Sequence, residues 1–205
     1  MNLSNQLNII LKQYSDGDKL SAYKKFQKIY LQNNKNIKMR YNLAVMQQEL
    51  GFVEEAESNY KFLIKNNMGL KPKINLYNLY FSKQMFDKGL KIINEIEKEN
   101  SNISHINQDK VYALFRLKNY QVAISECRKI LKKEKNNVNL LNTLGLCYFS
   151  LKNYDKAKII FLEAFKLDNK NIPVLNSLGR LNHEIRNSKK AEEYFQIALS
   201  INSEV

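Results

Sequence analysis

The heptad Leu117-Lys118-Asn119-Tyr120-Gln121-Val122-Ala123 returns 34 residues later as Leu151-Lys152-Asn153-Tyr154-Asp155-Lys156-Ala157. Self-similarity at one fixed interval is the mark of a chain built from stacked copies of one supersecondary unit. The same shift carries Gly145 onto Gly179, Ala157 onto Ala191, Phe161 onto Phe195 and Ala164 onto Ala198, and it aligns Asn119, Asn153 and Asn187 in a column. Carried backwards, the frame requires a small residue in every earlier copy. It finds Ala123, Gly89, Ala56 and Ala22, with a single step of 33 between Ala56 and Gly89.

Six units follow, at about 3–36, 37–69, 70–103, 104–137, 138–171 and 172–205, read as one array over 1–205. Within a unit the apolar residues fall three and four apart, as in Ile160, Phe161, Ala164 and Phe165 or Tyr194, Ile197, Ala198 and Ile201, which is the spacing of one helix face. Polar breaks at Lys35-Asn36, Asn66-Asn67, Asn100-Ser101-Asn102, Asn136-Asn137 and Asn169-Lys170-Asn171 separate the units. Shorter breaks around Asp16-Gly17-Asp18, Gly51, Asn119, Asn153 and Asn187 divide each into two helices. The fold expected is therefore all-α: twelve antiparallel helices and no sheet. In each pair, the small residue of the second helix admits the first helix closely. A large side chain four positions on (Phe26, Tyr60, Ile93, Phe161 or Phe195) is expected to fill the space to the next unit.

Composition agrees. Six Gly and two Pro among 205 residues are too few for a protein made of many tight β-turns. The formal charge of +13 suggests an acidic partner, but only five of the 33 basic residues are Arg (Arg40, Arg116, Arg128, Arg180 and Arg186). Lys, Asn and Ile are enriched together, as codon usage in an AT-rich genome would produce, so the charge total specifies no partner. No window holds 18 consecutive apolar residues, and Met1-Asn2-Leu3-Ser4-Asn5-Gln6 lacks the basic and apolar blocks of a secretory signal. A cytoplasmic location without membrane insertion is expected. Cys127 and Cys147 lie in apolar patterns without ligand spacing and read as buried free thiols. With His105 and His183 as the only histidines and no Gly-rich phosphate loop, no catalytic residue, metal site or cofactor is expected.

The columns resemble the tetratricopeptide repeat, whose leucine-glycine pair, aromatic, alanine and second aromatic are matched by Leu144-Gly145, Tyr148, Ala157 and Phe161, and later by Leu178-Gly179, Ala191 and Phe195. Earlier units depart from it, with Ile10, Ala44, Tyr77 and Val111 at the glycine position and Gly89 for the second-helix alanine. Tyr77 and Gly89 together predict looser packing around residues 70 to 110. The resemblance implies an α-solenoid with a right-handed superhelical twist, its first helices lining a concave binding surface.

On that face the resemblance places Asn42, Asn75, Asn78, Tyr112, Asn142, Asn176 and Arg180 as peptide- or protein-binding residues. Amide side chains there can pair with a peptide backbone without adding charge. Deeper on the face, Tyr14, Phe81, Phe115 and Phe149 form a column that either packs neighbouring helices or walls a groove. Counting Lys38, Lys71, Arg116 and Arg180 against Glu49, Asp109 and Glu184 leaves about +1, which argues against a nucleic-acid backbone or a strongly acidic tail inside the groove. The family's carboxylate clamp is matched only by Asn42 and Lys71; Leu7, Leu11 and Asn75 stand where its other polar residues belong.

Glu54-Glu55-Glu57, Glu95-Glu97-Glu99 and Glu192-Glu193 read as solvated faces, and the basic run Lys129 to Lys135 as a helix end favoured by the dipole. The function expected is a non-enzymatic adaptor for a peptide or protein. Two alternatives stand beside it: a substrate-recognition module of a larger sugar or sulfate transferase, and a self-assembling homo-oligomer. For the last, Tyr194, Ile197 and Ile201 are the candidate contacts, because the final unit carries more apolar surface than one preceding helix can hide.

Overall fold

The computed structural model describes residues 2–99 and 104–203. Among these, twelve helices and no strand occur: α1 Leu3–Ser15, α2 Lys19–Gln32, α3 Ile37–Leu50, α4 Val53–Lys65, α5 Leu70–Ser82, α6 Phe86–Glu99, α7 Ser104–Arg116, α8 Tyr120–Leu131, α9 Val138–Ser150, α10 Tyr154–Leu167, α11 Ile172–Glu184 and α12 Ser188–Ser203. The predicted break at Asn100-Ser101-Asn102 lies outside the described residues. Two compact units form, Met1–Ser101 and Asn102–Val205. In the first, α1 pairs with α2, α3 with α4 and α5 with α6, while α3 also touches α5. In the second, α7 pairs with α8, α9 with α10 and α11 with α12, and the first helices α7, α9 and α11 touch in succession.

The backbone repeats the sequence period. Between first and second helices one residue turns left-handed in every pair: Gly17 (φ 106°), Gly51 (83°), Gln84 (57°), Lys118 (61°), Lys152 (58°) and Arg186 (61°). Their spacing is 34 residues throughout except for the single step of 33 between Gly51 and Gln84, the same short step as between Ala56 and Gly89. From Gly51 onward the following N–H donates five residues back, Phe52 to Gln47, Met85 to Tyr80, Asn119 to Leu114, Asn153 to Tyr148 and Asn187 to Asn182, at 2.8–2.9 Å. These bonds satisfy carbonyls that the helix end would orphan.

Asparagine serves the other helix boundary. Asn2, Asn36, Asn137 and Asn171 accept through their side chains from the N–H of Asn5, Met39, Leu140 and Val174, each three residues on, at 2.9–3.2 Å. Such a cap is worth about 1 kcal/mol over alanine. Of the Asn119, Asn153 and Asn187 column, Asn153 and Asn187 cap second helices in the same way, accepting from Lys156 and Lys190.

Packing inside a pair follows small-against-large complementarity. A Cβ built on Gly145 would overlap the Phe161 ring, and one on Gly179 would lie 2.5 Å from Phe195 Cε1. These aromatics are thus seated on the glycine of their own unit, a contact beyond the expected filling of the space to the next. The third pair exchanges the partners. Tyr77 replaces the first-helix glycine, yet it is buried at 1% exposure. Gly89 on the second helix receives the ring of Phe81, which a Cβ there would overlap. Phe81 in turn meets Tyr77 and Phe86 edge-on at 5.5 and 5.3 Å between ring centroids. The Phe81 ring thus occupies the space that Gly89 leaves between α5 and α6.

Candidate functional site

The aromatic column does packing work within the pairs. Phe81–Phe86, Phe115–Tyr120 and Phe149–Tyr154 each bridge first and second helix across the left-handed turn, with centroids 5.3, 5.8 and 5.6 Å apart. Tyr14 instead donates from its hydroxyl to Glu49 at 3.1 Å, beside a Lys19–Glu49 ion pair of 2.9 Å. Partial burial, then the Glu49 carboxylate, pushes the Tyr14 phenol up to about 12.

In Met1–Ser101, Asn42 is half-buried and Asn78 exposed. Asn75 is half-buried, and its amide donates to the hydroxyls of Tyr41 at 3.0 Å and Tyr60 at 3.3 Å, while Tyr60 donates to Gln48 at 2.8 Å. Asn75 therefore ties α5 to α3 and α4. Two acidic residues expected on solvated faces also act between helices. Glu57 on α4 accepts from Tyr80 on α5 at 3.0 Å and from Lys61, and Glu99 on α6 pairs with the buried Lys73 of α5.

In Asn102–Val205 the first helices form an open cleft of about 190 Å3 between α7 and α9, lined by Gln108, Asp109, Tyr112, Asn139, Leu140 and Thr143. Tyr112 is 42% exposed, and its hydroxyl accepts from Arg116 at 2.6 Å. Asn142 is only 8% exposed, and its Oδ1 has no hydrogen-bond partner. Asn139 and Thr143, four residues apart, share the cleft stripe, whereas Asn142 lies about 100° round the helix from Thr143 and turns into the packing. Asn142, expected on the binding face, is thus buried, while Asn139, outside the predicted set, is exposed in the cleft. On α11, Asn176 and Arg180 are exposed, with the Arg180 guanidinium 5.5 Å from the Phe149 ring centroid.

At α12 the predicted apolar contacts divide. Tyr194 is half-buried, edge-on to Phe165 at 5.8 Å, and Ile201 is half-buried. Ile197 is 41% exposed and Leu199, not among the predicted contacts, is 68% exposed. Elsewhere, Cys127 and Cys147 are buried free thiols, and burial raises both, Cys147 to about 12. Among the described residues no group of three His, Cys, Asp or Glu could hold a metal, and no helix is long and apolar enough to cross a membrane.

Residues 138–171 match the sequence model of the tetratricopeptide repeat. Among curated proteins none matches the sequence. Several solved structures share the fold. MamA from Desulfovibrio magneticus RS-1 superposes with a TM-score of 0.71 at 18% identity over 82% of this chain and 96% of its own. A tetratricopeptide repeat protein from Parabacteroides merdae gives 0.67 at 17% over 96% and 77%. YrrB, described as a TPR protein with an unusual peptide-binding site, gives 0.62 at 16% over 86% and 91%. The unit at 138–171 thus matches the tetratricopeptide repeat in sequence, and the chain as a whole shares the fold of solved tetratricopeptide-repeat structures.

Proposed function

We propose that the chain is a non-enzymatic scaffold that binds a peptide or protein segment along the first helices of Asn102–Val205. The observation that carries this reading is the cleft between α7 and α9, where the exposed Tyr112 ring stands among the polar side chains of Gln108, Asn139 and Thr143. An aromatic wall beside amide and hydroxyl groups suits an extended backbone, which presents alternating donors and acceptors and buries a side chain against the ring. The similarity to YrrB, whose description includes a peptide-binding site, supports the reading by analogy. Affinity capture from the native cell, comparing the chain with a Tyr112→Ala/Asn139→Ala variant, tests it. Loss of captured partners with unchanged helical circular dichroism is expected, and an identical set of partners overturns it.

Self-association is the second reading, favoured by Ile197 and Leu199 lying exposed on α12. Burying what remains exposed of both would contribute roughly 2–3 kcal/mol, since a fully exposed side chain of this size gains about 1.5–3 kcal/mol. Sedimentation should then show a dimer that Ile197→Glu/Leu199→Glu dissociates; a monomer at all concentrations removes this reading.

A further inference from the structure

A second concavity lies away from the first-helix cleft and shares no lining residue with it. Helix α8 runs beside the end of α9 and the start of α10, and the furrow along it holds two adjoining hollows of about 380 and 370 Å3. Gln121, Ile124 and Arg128 line both; Lys156 adds a cation to the first, and Lys129 and Lys132 to the second. Neither hollow has an Asp or Glu in its lining.

Charge is concentrated there against an apolar floor. Ile124 is 6% and Tyr148 7% exposed. Arg128 donates to the Tyr148 hydroxyl at 2.5 Å, and the same ring has the Arg128 guanidinium 6.0 Å and the Lys156 ammonium 5.7 Å from its centroid. Each cation is attracted to the ring face, but the two repel one another. Asn153 of the first hollow caps α10, whose N-terminal dipole adds to the positive potential. The nearby Glu126 is bonded to Lys129 at 2.7 Å and faces Lys110 at 3.8 Å, so it offsets one of the four cations and leaves the rest. Asp155, next to Lys156, is exposed on the first turn of α10 outside the lining.

We propose that this furrow binds an acidic peptide segment of a partner protein, with Asp or Glu carboxylates between Arg128, Lys156 and Lys132 and their methylenes on Ile124 and Tyr148. Bound carboxylates would relieve the repulsion between the two cations beside the Tyr148 ring. A nucleic-acid backbone fits less well, because its affinity grows with the number of phosphates neutralised and the furrow has only one Arg and three Lys. Its apolar floor also suits side-chain methylenes better than bare phosphates.

The test is an NMR titration of the full chain with acetylated, amidated hexaglutamate at low ionic strength. Amide shifts confined to the α8 face, Asn153 and Lys156 are expected, with affinity falling as salt rises. Arg128→Glu/Lys156→Glu should weaken binding by roughly tenfold or more. Lys24→Glu/Lys28→Glu, an equal charge change on exposed positions of α2, should leave it within about twofold. Because Arg128 also holds Tyr148, Lys132→Glu/Lys156→Glu serves as a second variant that spares that bond, with the same expected loss. Tyr112→Ala should not matter, which separates failure here from failure of the first-helix site. Absence of binding, equal weakening by the α2 control, or shifts spread over all basic surfaces would overturn the proposal. So would tighter binding of polyuridylate or phosphatidylserine vesicles through the same residues.

Discussion

Replacing Gly89 with Ala sets a local preference against a packing contact, and the two give opposite signs. Helix propensity alone favours Ala over Gly by about 1 kcal/mol in a helix interior. In α6, however, the new Cβ would overlap Cε1 and Cδ1 of Phe81. That ring cannot swing away freely, because it is edge-on to both Tyr77 and Phe86, contacts worth about 0.5–1.5 kcal/mol apiece. Overpacking of this kind costs about 1–3 kcal/mol, so Gly89→Ala should destabilise Met1–Ser101 by about 1 kcal/mol net. Phe81→Leu removes the overlapping ring, and in that background the same Gly89→Ala change should stabilise by up to about 1 kcal/mol. Urea unfolding of the four proteins of this double-mutant cycle, followed by far-ultraviolet circular dichroism, measures the coupling, expected at about 1–3 kcal/mol. A higher midpoint for Gly89→Ala with Phe81 intact, or no coupling between the positions, refutes the packing argument.

Other consequences are checked more simply. Lys152 is held at φ 58°, a conformation that costs a side chain about 1–2 kcal/mol; Lys152→Gly should recover roughly 0.5–1 kcal/mol after glycine's extra unfolded-state entropy, and a lower unfolding midpoint would contradict it. Native Cys127 and Cys147 should resist a water-soluble disulfide reagent at neutral pH and react only as fast as the chain opens, since burial disfavours both thiolates; rapid labelling of the native chain would oppose this. Acid should weaken Met1–Ser101. Hydrogen bonds from Lys19 and Lys61 hold the carboxyls of Glu49 and Glu57 below the ordinary range, against some opposition from partial burial. A lowered folded-state value contributes stability that is full above the ordinary carboxylate value and is lost as pH falls through the folded one. With each pair worth at most about 1 kcal/mol near the surface, Glu49→Gln/Glu57→Gln should flatten the acid limb of the stability profile, and an unchanged limb would remove these pairs from the account.

What was legible in the sequence depended on whether a residue's neighbour is set by the repeat or by one particular place. The column of Ala22, Ala56, Ala123, Ala157 and Ala191 fixes the register because a small residue recurs where these second helices pack closely, and all five are buried. The asparagines of the polar breaks were visible as punctuation, but their capping role depends on Oδ1 meeting an N–H three residues on, which composition does not disclose. Gly89 is legible only in part for a related reason. Its helix cost is a local property, whereas the Phe81 ring that requires it belongs to the facing helix. Site residues were the least legible. Asn75, Asn78 and Asn142 all stood on the inferred binding face, yet one ties helices together, one is exposed and one is buried. A rotation of about 100° per residue is enough to move an amide from cleft to core. The basic run after Arg128 shows the same limit in the other direction: a helix-end explanation suffices for Lys129 and Lys132 taken alone, and only folding brings Lys156 from the next unit to the Tyr148 ring that Arg128 also approaches.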